Sequence, residues 1–338
     1  MKNITLHSPL DMHLHLRDVN MLKNIARYSS RYFAGAIIMP NLVPPVTTIE
    51  QVIEYDKRIE EAIDGDSFER YMTLFFKNSY GYDFLKEAKK YIKAIKLYPS
   101  GITTNSEGGV SSFEIDDLKE TLEAMSELGL PLLVHGETNG FVMDREREFG
   151  SFYEKIASAF PKLKIVMEHI TDRHSIKLLN EYENLYATIT LHHLYITLDD
   201  VAGGLLKPHL FCKPIAKRYE DREALLDVAL KAHPKVSFGS DSAPHPISSK
   251  ESLGCAAGVF SSFVALPALC ELFEKHNSLD NLQKFISDNA REIYDIAPIK
   301  KEVTLVKKEF EVPKELNGVV PMFYGEKLDW SYDESAGS

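Results

Sequence analysis

Short β-rich runs alternating with helical stretches constrain this chain more than any other feature of its sequence. Eight such runs lie near residues 11–16, 35–39, 70–76, 92–98, 131–137, 164–170, 185–190 and 235–241. Between them are amphipathic stretches, such as 113–128 and 221–232. Asp116 and Asp117 favour the N-terminus of the first, and Gly129 reads as its C-terminal stop. Strand and helix in alternation imply a parallel sheet covered by helices. Eight such units are the number that closes a (β/α)8 barrel. An open, doubly wound sheet is the alternative, but no GxGxxG turn follows the first run. The expected fold is α/β, a (β/α)8 TIM barrel over about 1–298 with a C-terminal extension over about 299–338, as one domain spanning 1–338. Strand-like pieces at 303–306 and 309–312 suggest that the extension wraps the barrel, and 331–338 reads as frayed. The long connection 191–217, with Gly203-Gly204, Pro208 and Pro214, reads as a binding loop.

Apolar residues make up 44% of the 338, enough for a substantial core. The formal charge is −11, with no basic stripe, which argues against nucleic acid as a partner. Cys212, Cys255 and Cys270 form no CxxC pair and suggest reduced thiols in a cytoplasmic protein. No run has the apolar length of a membrane span, and the N-terminus has no signal-peptide core.

Barrel enzymes carry their active sites at the C-terminal ends of the strands. Here those ends are polar. The first run carries His13-Leu14-His15, and alternation in a strand puts both imidazoles on one face. Two adjacent imidazoles make a claw for a transition metal. Arg17 follows one strand repeat later, and the second run ends at Asn41. Lys96 interrupts an otherwise apolar fourth run. The fifth ends His135-Gly136-Glu137, the sixth Glu168-His169, and the eighth Asp241-Ser242-Ala243-Pro244-His245. Singly, most of these have bland readings: a hydrogen-bonded histidine, a snorkelling lysine, a helix cap, a turn asparagine. Convergence from six runs on one rim favours a site. His7, His174, His233 and His276 fall elsewhere, and His192, His193 and His209 read as structural.

These residues, in this order, resemble the amidohydrolase superfamily, in detail the dihydroorotases of the shorter bacterial type. The matching segments are residues 13–18 (HLHLRD), 39–42 (MPNL), 96–106 (KLYPSGITTNS), 135–137 (HGE), 168–171 (EHIT), 208–214 (PHLFCKP), 239–245 (GSDSAPH) and 250–252 (KES). They span nearly the whole chain. The resemblance implies two zinc ions per subunit. His13, His15 and Asp241 would bind the more buried one, His135 and His169 the other, with Lys96 bridging both as N6-carboxylysine. A carbamate resolves the puzzle of a cationic amine in a metal site. The implied reaction is reversible cyclisation of N-carbamoyl-L-aspartate to dihydroorotate in pyrimidine biosynthesis. A metal-bridging hydroxide attacks the ring amide, and Asp241 acts as general acid/base. Arg17 would grip the substrate carboxylate in a bidentate fork, beside Asn41 and His245. Lys213 (by its main chain) and Ala257 would contact the substrate, although Lys213 stands where an apolar residue is expected. Thr103 and Thr104 match a loop that closes over the substrate. A homodimer is also implied. Other cyclic amidohydrolases, such as hydantoinase or dihydropyrimidinase, are the nearest alternative, but their substrates need no carboxylate grip. A non-catalytic barrel scaffold is the other, but every expected ligand is present.

Overall fold

The computed structural model describes residues 2–333. The chain begins with β1 (Asn3–His7), which stands outside the barrel. The barrel staves follow in chain order: β2 (Leu10–Leu14), β3 (Gly35–Ile38), a third stave made of β4 (Glu69–Tyr71) and β5 (Thr73–Phe75), then β6 (Ala94–Leu97), β7 (Leu132–Val134), β8 (Ile165–Met167), β9 (Leu185–Ile189) and β10 (Val236–Phe238). Neighbours pair in parallel from β2 to β4 and from β5 to β10. Only Met72 separates β4 from β5, so the two sheets share a stave. Closure comes just beyond β10. The Asp241 amide donates to His13 O (2.8 Å) and the His15 amide to Ser242 O (3.2 Å). The eight-stave α/β barrel is therefore as read from the alternation, each stave overlapping its expected run.

The period-two alternation of each stave sorts its side chains into two layers. Leu133 and Val166 fill the barrel interior with Leu10, Met12, Ile37, Met39 and Ala94. Ile95, Leu97, Leu132, Val134, Ile165 and Met167 join the outer layer packed under the helices. Lys96 lies between two outer-layer residues, so parity aims it inward, above Ala94. A register shift in β2 between Asp11 and Leu14 re-aims the chain beyond Met12. His13 and His15 then face the barrel mouth while Leu14 and Leu16 join the outer layer. Ala290, Ile293 and Tyr294 of the helix Asn289–Tyr294 pack into the interior cluster.

Two of the covering helices span Ile115–Leu128 and Tyr219–Leu230, within two residues of expectation. Gly129 ends the first at φ 65°, its amide capping Met125 O and Ser126 O. The 191–217 connection is not structureless: it holds helices Leu191–Tyr195 and Leu198–Ala202 and a turn at Pro208–Leu210. After the barrel come β11 (Glu302–Val306), β12 (Phe310–Glu311), β13 (Lys327–Leu328) and β14 (Ser331–Tyr332). β1 pairs antiparallel with β11, and β11 with β14. Trp330 is fully buried and donates to Glu274 of the helix Ala265–Lys275 (2.9 Å). The frayed end expected at 331–338 is corrected in part. Ser331 and Tyr332 form β14, and the Tyr332 ring stacks on Tyr32 at 3.6 Å. Residues 334–338 lie outside the described residues.

Candidate metal centre and active site

The stave ends bring His13, His15, His135, His169 and Asp241 to one narrow cleft, and Lys96 lies fully buried close enough to feel the charge of Asp241. His13 Nε2 lies 3.3 Å from His15 Nε2, and the two lie 3.5 and 3.1 Å from Asp241 Oδ1. His135 Nδ1 lies 3.2 Å from His169 Nε2. The His169 ring is 4.9 Å from that of His13, so the two imidazole pairs adjoin. His169 and Asp241 sit at φ 41° and 43°, and Arg17 at 58°. Left-handed backbone at non-glycine residues is costly and clusters at functional sites. Gly239 lies beneath the pairs: a Cβ there would meet His13 Cβ at 2.9 Å and Thr188 Cβ at 3.0 Å.

Electrostatics prepares these groups to bind cations. Burial pushes the His15 pKa down to about 4, and those of His135 and His169 down as well. Their imidazoles are neutral near pH 7, the form that ligates metal. Burial works against ionised Asp241, but the hydrogen bond from His15 and the surrounding histidines outweigh it and hold its pKa well below the ordinary value. Lys96 is fully buried, and its Nζ has no hydrogen-bond partner. Burial lowers its pKa to about 8 against the pull of Glu168 and Asp241. An orphaned amine among neutral imidazoles and carboxylates is costly as it stands. An anionic form of this side chain would fit a cation-binding centre instead. The donor set, nitrogen-rich with one carboxylate, is of the kind that suits zinc.

Carboxylates behind the ligands fix their orientation. Glu168 Oε2 takes His13 Nδ1 at 2.7 Å and the Thr188 hydroxyl at 2.5 Å, while Thr188 Oγ1 accepts the His169 amide at 2.7 Å. Glu137 Oε2 takes His135 Nε2 at 2.7 Å. Asp11 accepts from the His13 amide and from the amide and hydroxyl of Ser240. Such partners set tautomer and ring orientation in metal sites. Glu146 does the same for the backbone after His169, accepting from the amides of Thr171 and Asp172. From sequence, Glu137 and Glu168 stand out only as polar stave ends with no role of their own, and Asp11 and Glu146 have none assigned. Asp11, Glu137 and Glu168 nonetheless lie within two residues of the histidines, and that adjacency was the available signal.

The same cleft is lined by Arg17, Asn41, Thr103, Thr104, Lys213 and Ala257. Arg17 Nη2 lies 3.0 Å from His245 Nε2, which is itself 3.0 Å from Ala257 O. One ring nitrogen cannot accept from the guanidinium and donate to the carbonyl at once. An arriving anion would release Arg17 from that conflict. Asn41 Nδ2 donates to Thr104 O (3.0 Å), tying the threonine segment over the cleft. The Lys213 ammonium does not enter the pocket as a free charge; it donates to Ile102 O at 2.7 Å. His192, His193 and Cys212 form a second buried cluster. His193 Nε2 and the Cys212 thiol both face Pro214 O, at 3.1 and 3.4 Å, which supports the structural reading of His193. His209 pairs with Glu251 at the surface, likewise structural.

The amidohydrolase family model matches residues 10–296, the span that holds all of these cleft residues. The chain belongs to the amidohydrolase family, among its dihydroorotases. A dihydroorotase from Helicobacter acinonychis is 48% identical over 339 residues, 98% of this chain and 99% of that one. The crystal structure of dihydroorotase from Campylobacter jejuni superposes with a TM-score of 0.94 at 58% identity, covering 98% of each chain. That of Saccharomyces cerevisiae dihydroorotase in complex with 5-fluoroorotic acid gives 0.92 at 34% identity, over 98% of this chain and 99% of that one. The chain is thus a hydrolase of this family. Among the described residues, no helix is long and apolar enough to cross a membrane.

Proposed function

We propose that this protein is a zinc-dependent dihydroorotase of cytoplasmic pyrimidine biosynthesis, working as a homodimer and closing N-carbamoyl-L-aspartate reversibly to dihydroorotate. The observation that supports the reading is one cleft lined by His13, His15, His135, His169 and Asp241 with Arg17 and Asn41 beside them, and His245 3.0 Å from Arg17. His13, His15 and Asp241 would hold one zinc, and His135 and His169 the other. Lys96, as the carbamate that its free amine forms with CO2 on losing a proton, would bridge them. Bound there, the zinc ions would lower the pKa of water and polarise the scissile carbonyl.

The chain's own residues do the rest. Arg17 holds the substrate carboxylate with two parallel hydrogen bonds and so fixes which ring carbonyl faces the centre. Asn41, His245 and the backbone at Lys213 and Ala257 orient the ring. Asp241 takes the proton released by the attacking water and delivers it to the departing amide nitrogen; cyclisation reverses that transfer. Its depressed pKa keeps it ionised near neutral pH. Thr103 and Thr104 cover the cleft and exclude water. A hydantoinase-type substrate would leave the Arg17 grip unused.

Assay of the purified protein tests this reading. Carbamoyl aspartate should be cyclised, a chelator should abolish the activity, and zinc should restore it. Turnover of hydantoins with none of carbamoyl aspartate would overturn the substrate assignment.

A further inference from the structure

Lys250 closes the short helix Ile247–Lys250, just past the His245 rim, and is only 3% exposed. Its Nζ donates to Phe211 O at 3.0 Å, Ala256 O at 2.7 Å and Gly258 O at 2.8 Å. An ammonium has three N–H bonds, so all are used. The three carbonyls belong to two segments some forty residues apart in the chain. Those segments are joined directly by one further bond, from the Gly258 amide to Phe211 O (2.9 Å). Gly258 sits at φ 153°, where a Cβ would come within 2.2 Å of Ala243 O, so the backbone presses against the rim. Lys213 and Ala257, on these two segments, form one wall of the cleft.

We propose that Lys250 is a positioning residue for substrate binding: its ammonium clamps the Phe211 and Ala256–Gly258 backbones together and thereby sets the wall on which the substrate docks. This inference rests on the dihydroorotase reading and deepens it. With the charge gone, the Ala256 and Gly258 carbonyls lose the ammonium that satisfies them, and Phe211 O keeps only the Gly258 amide. The wall then opens, and Ala257 O moves relative to His245. The histidines of the centre lie on staves that Lys250 does not touch, and the Asp241 amide is tied to His13 O at 2.8 Å, so the centre keeps its geometry. Lys250 touches no reacting atom, so its loss weakens binding more than it slows chemistry.

Lys301 supplies an internal control. It too donates to three carbonyls, of Ser30, Phe33 and Ser67, but these belong to segments that lead into staves, at the end of the barrel opposite the cleft. Lys250→Met and Lys301→Met both remove such a clamp. The expected result for Lys250→Met is a KM for carbamoyl aspartate raised about tenfold, kcat within about threefold and metal content unchanged. Lys301→Met should lower Tm and leave KM alone. Hydrogen exchange gives a readout independent of activity: the peptide containing the Gly258 amide should exchange faster in Lys250→Met than in wild type. If Lys250→Met does not fold, Lys250→Gln, which keeps two donors, should show the same changes in smaller measure. Equal KM in wild type and Lys250→Met, or unchanged exchange at Gly258, would overturn the proposal. Failure of the wild-type protein to act on carbamoyl aspartate would instead overturn the reading beneath it, while leaving the exchange result interpretable.

Discussion

Lys96 and Arg17 are both cations at the mouth of the barrel, yet their surroundings give them different tasks. Lys96 has no acceptor and a pKa pulled down to about 8, so on the proposed function a usable fraction of free amine would be available to capture CO2. Lys96→Ala should cost at least about a thousandfold in kcat and lower the bound metal per chain, checked by elemental analysis of the purified variant. Two tightly held metals at full rate would refute the bridge. Glu168→Gln keeps the shape but weakens the hold on His13 Nδ1. Metal affinity should fall about 10–100-fold, measured by competition with a chelator. The lysine at 213 illustrates what sequence withheld. Its type alone suggests an altered pocket, whereas the fold turns the ammonium to a neighbouring carbonyl. Lys213→Leu should therefore change KM by no more than about threefold, because the substrate-facing main chain remains. A tenfold rise would show that the charge itself is read by the substrate.

Elements explain which parts were legible. All eight staves are visible as runs, but the runs at 11–16, 131–137, 164–170 and 235–241 extend two or three residues beyond the C-terminal ends of their strands. Rim residues continue the apolar–polar alternation while leaving the ladder: the His169 amide goes to a threonine hydroxyl and the His13 amide to Asp11. Pattern alone cannot tell those partners from a neighbouring strand. β1 was not read because its partner, β11, lies almost three hundred residues on, and five residues cannot announce a distant pairing. The C-terminal pieces were legible as strands but not as one assembly. Glu274 pins that assembly, accepting from Lys2 before β1, Lys307 after β11, and Trp330 before β14. Hydrogen bonds from Lys2 and Lys307 outweigh burial and lower its pKa from 4.5 to about 2. A carboxylate with a depressed folded pKa adds stability above its unfolded value, lost as pH falls through the folded one. Glu274→Gln should thus destabilise by about 1 kcal/mol at pH 7, the ion pairs being partly solvent-screened. The gap in Tm between variant and wild type should narrow as pH drops from about 4.5 towards about 2. A gap independent of pH would assign the effect to shape instead of charge.

For the whole molecule, the barrel and the membership of its centre follow from where polar residues interrupt apolar runs. The six proposed ligand positions stand out in the sequence because each ends or punctuates a stave. The carboxylates behind them and the Lys250 clamp do not, because their roles depend on contacts between segments that only the closed barrel brings together. The proposed function makes this barrel a two-metal hydrolase whose substrate is an acid. The decisive experiment is the rate of carbamoyl aspartate cyclisation by metal-free protein titrated with zinc, followed in parallel for Arg17→Gln. No activity is expected without zinc, and full activity at two ions per chain. Arg17→Gln should bind both ions with KM raised at least about a hundredfold, the loss of a charged bidentate contact. Full activity in the metal-free protein, or an Arg17→Gln variant with unaltered KM, would contradict that function.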